Sequence, residues 1–184
     1  AKTWMAALSN IDAKWLEEPF APDNTALFRE LTYARKKEQW STEIATGENC
    51  PNHYTAAELM NSGVTRFQPD PCRMLGLIDA IYVSCIAKIE RCPITPHAGG
   101  SSLDELSPHI QLFNLARICP KMDIAKSLTE NVGFCSHYFA APARVSNGKL
   151  ASPLAPGLLG GLDKKVSKKI KNYQEGISWL EHSF

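Results

Sequence analysis

Glu17, Glu48, Asp70, His97 and Glu130 recur along the chain with gaps of 31, 22, 27 and 33 residues. Each stands at or just past the end of an apolar run of strand-like composition. A (β/α)8 barrel devotes roughly 31 residues to each strand–helix repeat and gathers its catalytic groups at the C-terminal ends of the strands. Carboxylates and an imidazole delivered to one rim imply metal binding and proton transfer.

The first two members read as cation ligands. In Leu16-Glu17-Glu18-Pro19, strand alternation lets only one of the adjacent carboxylates face the barrel axis. Glu17 is the inward candidate, and Glu18 is expected to face the helices or pair with a Lys or Arg. Gly47 permits a close backbone approach, and Glu48 is placed to share a cation with Glu17. Hard, small Mg2+ suits oxygen ligands in octahedral geometry. Two carboxylates are too few alone, so a third ligand is expected from another strand. The plainer alternative is a set of solvated loop glutamates.

The next three read as proton-transfer groups. Asp70 and His97 end neighbouring strands, where a carboxylate on one imidazole nitrogen fixes the tautomer and raises the basicity of the other. Ala98-Gly99-Gly100 leaves open space beside the ring, although a lone histidine after a strand is also a common structural residue. Glu130 either hydrogen-bonds a substrate oxygen in its protonated form or caps the following turn.

Positioning these groups requires alternating strands and helices. Short β-rich runs at 13–16, 42–46, 64–68, 93–95 and 122–128 alternate with helical patterns, which predicts βα units and a parallel sheet. Residues 4–8 read as the tail of a helix. Asp23 or Asn24 is expected to cap a helix running to about residue 35, and Thr55 one over 56–60. The longest helical pattern, 77–90, carries Ile78, Ile81, Tyr82, Cys85, Ile86 and Ile89 on one stripe. Ser107 or Asp104 opens the next helix. Residues 142–161 form a Pro/Gly-rich coil without helix or strand periodicity, and 163–184 a basic amphipathic helix. Five βα units are three short of a closed barrel. The chain therefore reads as an α/β fold, the C-terminal portion of a (β/α)8 barrel.

Composition narrows the function classes. At 184 residues, 44% hydrophobic and with a net charge of +1, the chain suits one globular core and gives no electrostatic reason for a nucleic-acid partner. No apolar run approaches the roughly 20 residues that span a bilayer, and the opening Ala1-Lys2-Thr3-Trp4-Met5 lacks a signal-peptide core. Six scattered cysteines read as reduced, mostly buried thiols, which points to a cytoplasmic location with a mitochondrial one open. Cys50-Pro51-Asn52-His53 and Cys135-Ser136-His137 contain zinc-capable atoms without complementary spacing. The lysine run 164–171 reads as a solvated helical face.

The ordered set of strand ends resembles the mandelate racemase branch of the enolase superfamily. It is most similar to acid-sugar dehydratases of the L-fuconate and L-galactonate type. The likeness is carried by Lys14-Trp15-Leu16-Glu17-Glu18-Pro19, Ala45-Thr46-Gly47-Glu48-Asn49-Cys50 and Gln68-Pro69-Asp70-Pro71-Cys72-Arg73, followed by Pro96-His97-Ala98-Gly99-Gly100 and Glu130-Asn131-Val132. These would be the fourth to eighth strand ends, giving residues 1–162 as a partial barrel and 163–184 as an appended helix. The resemblance implies Glu17 and Glu48 as Mg2+ ligands, Asp70 and His97 as an acid/base dyad, and Glu130 as the partner of an enolate oxygen. It implies removal of the proton α to a sugar carboxylate and loss of the β-hydroxyl, giving a 2-keto-3-deoxy acid.

The capping domain, the first three strands, a Lys-bearing strand and one metal-ligand Asp have no counterpart in this chain. Cys72-Arg73-Met74-Leu75-Gly76 also departs from the paired-glycine ending common in the family. The expected partners are a sugar acid and either further copies of the chain or a missing N-terminal portion. The isolated chain is expected to be inactive. The alternatives are a non-catalytic enolase-like scaffold or interaction protein and an acid-sugar epimerase or racemase.

Overall fold

A computed structural model describes residues 1–100, 106–121, 127–153, 157 and 161–167. The chain opens with helix α1 (Lys2–Asn10), strand β1 (Trp15–Glu17), helix α2 (Thr25–Lys37) and strand β2 (Glu43–Thr46). Helix α3 (His53–Asn61), strand β3 (Arg66–Phe67) and helix α4 (Leu77–Ile89) follow. Helix α5 (Leu106–Phe113) runs into a wider π-helical turn at Asn114–Ile118. Beyond a short turn at Ser136–Tyr138 lie β4 (Val145–Ser146), β5 (Lys149–Leu150) and α6 (Lys164–Ser167).

Strands β1, β2 and β3 are parallel and adjacent in that order, as βα crossovers require. The sheet continues past β3 through a parallel bridge from Phe67 to Ile94. Leu16 lies opposite Ile44, and Thr46 opposite Phe67. With the two-residue period of a strand, these side chains share one face. Ile44 and Phe67 pack there with Met5, Phe28, Leu31, Leu59 and Val83 to form the core between sheet and helices. The other face carries Trp15, Glu17, Ala45 and Arg66. Arg66, buried, forks onto Glu43, donates to Thr95 Oγ1 at 2.9 Å and lies 5.2 Å above the Trp15 ring. One guanidinium thereby ties together three strands and the 93–95 segment, on the side that faces a barrel's axis.

The fold is thus part of a TIM-type barrel, and among the described residues its sheet stays open. Several local expectations change. Helix α3 is capped by Asn52, whose Oδ1 accepts from the Thr55 N–H at 2.9 Å, so Thr55 is the recipient rather than the cap. Asn24 precedes α2 without a side-chain capping bond.

The stripe of α4 is largely turned outward: Ile78 is 69%, Tyr82 54% and Ile89 75% exposed. The helix buries Asp79, Ala80, Val83, Ser84 and Ala87 instead. Small side chains permit its close seat against α3 and the 114–118 turn. The His53 Nδ1–Asp79 Oδ1 contact joins the first turns of α3 and α4.

Within the coil at 142–161, β4 and β5 form an antiparallel ribbon around Asn147-Gly148, both at positive φ. Those two residues supply the backbone a tight hairpin needs, a local signal that periodicity misses. The 122–128 strand falls mostly on residues 122–126, and the tail helix mostly beyond 167; both lie outside the described residues.

Candidate functional site

Four of the five ladder residues converge. Asp70 follows β3 and is 1% exposed. Its Oδ1 accepts the Cys72 N–H at 2.7 Å, a local turn bond that fixes the carboxylate plane. Its Oδ2 lies 2.9 Å from His97 Nδ1. The His97 backbone is pinned from two directions, donating its N–H to Pro69 O at 3.1 Å and accepting at its carbonyl from Ser107 Oγ in α5. His97 is buried, and its ring presents Nε2 to two carboxylates: Glu48 Oε2 at 3.1 Å and Glu130 Oε2 at 3.7 Å.

Glu48 reaches this point because of the residue before it. Gly47 adopts φ +141°, and a Cβ there would sit 2.8 Å from Gln68 N and Phe67 Cε1. Only glycine lets β2 pass so close to the end of β3. Glu130 is held by backbone: its N–H donates to Pro96 O at 3.2 Å and its Oε2 accepts from Ala98 N at 3.0 Å. It therefore braces the strand end that carries His97 while facing Nε2.

Electrostatics follow from this geometry. The Asp70 bond, opposed by burial and aided by Glu48 and Glu130, holds His97 above its ordinary pKa. Burial pushes the Asp70 carboxyl up, but the His97 bond, the Cys72 N–H and nearby Arg73 outweigh it and leave it lowered. Both shifts favour a carboxylate paired with an imidazolium. That state makes His97 Nε2 a proton donor, and its conjugate base an acceptor on the same atom.

Arg73 is the residue that the sequence pattern undervalued. Its Nη1 donates to Glu48 Oε1 at 2.6 Å and to Asn49 Oδ1 at 3.3 Å, and its Nε lies 3.5 Å from Asp70 Oδ2. Asn49 in turn donates from Nδ2 to Glu18 Oε2 at 2.6 Å. Glu18 is thus drawn toward the end of β2, at a positive φ of 41°, rather than paired with a Lys or Arg. The spacing of three from Asp70 to Arg73 was the available signal. Ser107, one of the two residues read as a helix opener, lies in the first turn of α5 and donates to the His97 carbonyl. Asp104 lies outside the described residues.

Glu17 stands apart from this network. It is exposed, and its Oε2 accepts the Trp15 Nε1–H at 2.9 Å. Among the described residues no group of three or more His, Cys, Asp or Glu side chains is arranged to hold a metal ion. Both oxygens of Glu48 are engaged, one by Arg73 and the other by His97. The donor set as it stands therefore does not fit the Mg2+ that the resemblance implies.

The two buried cysteines, Cys50 and Cys92, are poor nucleophiles. All six are unpaired; two are buried and two exposed, so fewer are buried than expected. Burial pushes the Cys50 thiol up to about 11 and the Cys92 thiol up to about 12, which suppresses thiolate formation.

A family model described as "Enolase C-terminal domain-like" matches residues 1–166, nearly the whole chain. The chain belongs to this enolase family. Human mitochondrial enolase superfamily member 1 is 28% identical over 180 residues, covering 97% of this chain and 40% of the relative. Its crystal structure superposes with a TM-score of 0.81 at 27% identity, over 91% of this chain and 37% of that one. L-galactonate dehydratase of Hypocrea jecorina is 27% identical over 178 residues, 96% of this chain and 38% of the relative.

An L-talarate dehydratase from Polaromonas sp. JS666, complexed with Mg and L-glucarate, shares the fold at a TM-score of 0.69 and 20% identity. That match covers 91% of this chain and 42% of the other. The enolase-like chain thus spans about 40% of the length of the curated relatives it matches. No helix among its described residues is long and apolar enough to cross a membrane.

Proposed function

We propose that this enolase-like chain is the C-terminal barrel portion of an acid-sugar dehydratase, a hydro-lyase acting on a sugar carboxylate. The observation that carries the reading is the His97 ring: Nδ1 bonded to buried Asp70, Nε2 aimed at Glu48 and Glu130. The L-galactonate dehydratase among the relatives supports the substrate class.

In the proposed reaction a base removes the proton α to the substrate carboxylate, leaving an enediolate. His97, protonated at Nε2, then gives its proton to the β-hydroxyl as the Cβ–O bond breaks. Water departs, and the resulting enol tautomerises to a 2-keto-3-deoxy acid. Asp70 holds the imidazolium in orientation and balances its charge. In this reading Glu130 is the partner of the enolate oxygen, an assignment supported by its position 3.7 Å from His97 Nε2. No step here runs through Mg2+, because the described donor set does not cradle it. The compartment follows the relatives, whose name carries a mitochondrial location alongside the cytoplasmic one suggested by composition.

The non-catalytic scaffold reading draws on one observation, the neutralisation of Glu48 by two cationic groups. Turnover separates the two. The chain alone, and the chain joined to any coding sequence found upstream of it, are offered a panel of acid sugars while 2-keto-3-deoxy acid is measured. The chain alone is expected to be silent and the joined protein active, with His97→Asn lowering kcat by about 10²- to 10⁴-fold. A joined protein that folds and dehydrates none of the panel sinks the enzyme reading.

A further inference from the structure

The described residues and the implied divalent ion disagree at one place, Glu48 Oε1, where Arg73 Nη1 sits at 2.6 Å. We propose that Arg73 is a built-in counter-cation to Glu48, and that a divalent ion binds this carboxylate only by displacing the guanidinium. The inference rests on the dehydratase reading solely in taking a divalent ion as the competitor.

Three carboxylates surround the guanidinium. Glu48 is bonded directly and Asp70 lies 3.5 Å from Nε. Glu18 is tied in through Asn49, whose Oδ1 accepts from Arg73 while its Nδ2 donates to Glu18. An arginine is charged at every working pH and presents a planar fork of donors that fits carboxylates. These carboxylates raise its pKa further, the Glu48 bond leading. With Glu48 Oε2 turned to His97, each oxygen of the carboxylate already has a partner, so a metal must compete for it.

The geometry also makes the guanidinium displaceable. Its side chain is 44% exposed, whereas Asp70 is 1% exposed and His97 9%. Arg73 can therefore swing outward without opening the core, while the dyad stays in place. The sequence origin of the device is local. Arg73 belongs to the turn 70–76, which Asp70 Oδ1 and the Arg73 and Met74 N–H bonds to Asp70 O wind tightly. That turn brings residue 73 back over the end of β2.

The test is a Mn2+ titration of the full chain, following the loss of the free-ion paramagnetic resonance signal. Arg73→Gln is expected to bind Mn2+ about tenfold more tightly than wild type, a size typical of changes around a metal ligand. Arg73→Lys, which retains a cation, is expected to stay near wild type. Adding Glu48→Gln to Arg73→Gln is expected to abolish the gain. Arg73→Gln binding no more tightly than wild type, or a gain that survives loss of the Glu48 carboxylate, overturns the proposal.

A second measurement needs no variant at position 73. Saturating Mg2+ is expected to move the Arg73 Nε–H resonance of the wild-type chain to that of a free guanidinium, and to leave it unmoved in Glu48→Gln. An Arg73 resonance that Mg2+ does not move in wild type overturns the proposal as well. Neither titration contains a sugar acid, so exchange at Glu48 and dehydratase turnover can fail separately.

Discussion

His97 and Asp70 form one unit whose protonation state is set by burial and hydrogen bonding, and its pH dependence follows. Asp70 has a lowered pKa, so its contribution to stability is in place above the ordinary value of 3.8 and is lost as pH falls through the lowered value. His97 has a raised pKa, so its contribution is complete below the ordinary value of 6.5 and is lost as pH rises through the raised one. The urea midpoint of wild type is therefore expected to hold between these limits and fall on both flanks. Asp70→Asn should remove the acid flank and draw the alkaline one back toward the ordinary histidine value. An unchanged midpoint profile in that variant would show that the pair does not contribute as argued. The dyad was legible in the sequence because its two residues end consecutive strands. Arg73 was not, because its role depends on a turn that folds it back across the end of β2.

At the scale of elements, the strand ends are placed by a few local devices of unequal weight. The Asn52 side chain satisfies one backbone donor of α3, so Asn52→Ala is expected to cost about 0.5–2 kcal/mol. Gly47 carries two constraints at once, a positive φ and a 2.8 Å approach to β3. Gly47→Ala is expected to cost at least as much, about 1–3 kcal/mol for the backbone strain, and to shift Glu48 away from His97. Denaturant melts rank the two costs, and the His97 ring resonances report the second effect. A Gly47→Ala variant as stable as wild type with unmoved His97 resonances would contradict the account. Helix α4 shows where element-level reading misleads. Its type and span were plain from composition, yet its most apolar stripe faces outward, because the seat against α3 and the 114–118 turn admits only small side chains.

The whole molecule leaves apolar and hydrogen-bonding surface open. Among the described residues strand β1 ends the sheet on one side, and Leu75, Ile78, Tyr82 and Ile89 lie exposed along and before α4. An open parallel sheet retains unpaired strand edges that a closed barrel removes. The isolated chain is expected to self-associate, with sedimentation velocity showing species above the monomer. Ile78→Glu combined with Ile89→Glu is expected to shift that distribution toward monomer by charging the α4 face. A wild-type chain that sediments as a single monomer and melts cooperatively would refute the expectation.

The sequence by itself determined the βα rhythm, the family and four of the residues that meet at the strand ends. The period of strand and helix and the reach of one repeat are local properties, written in residue type and spacing. The need for glycine before Glu48 was tertiary in origin, since a Cβ there would meet Phe67 Cε1 and Gln68 N of the neighbouring strand. What Glu17, Glu48 and Glu130 bond to was decided only by tertiary structure. A carboxylate's partner is whichever donor the fold brings nearest. Here those donors are Trp15 two residues away, Arg73 and His97 from later loops, and the backbone of Ala98. Sequence spacing brought Glu48, Asp70 and Glu130 to His97 but left Glu17 apart, and three-dimensional proximity gave Glu48 an arginine and a histidine as its partners.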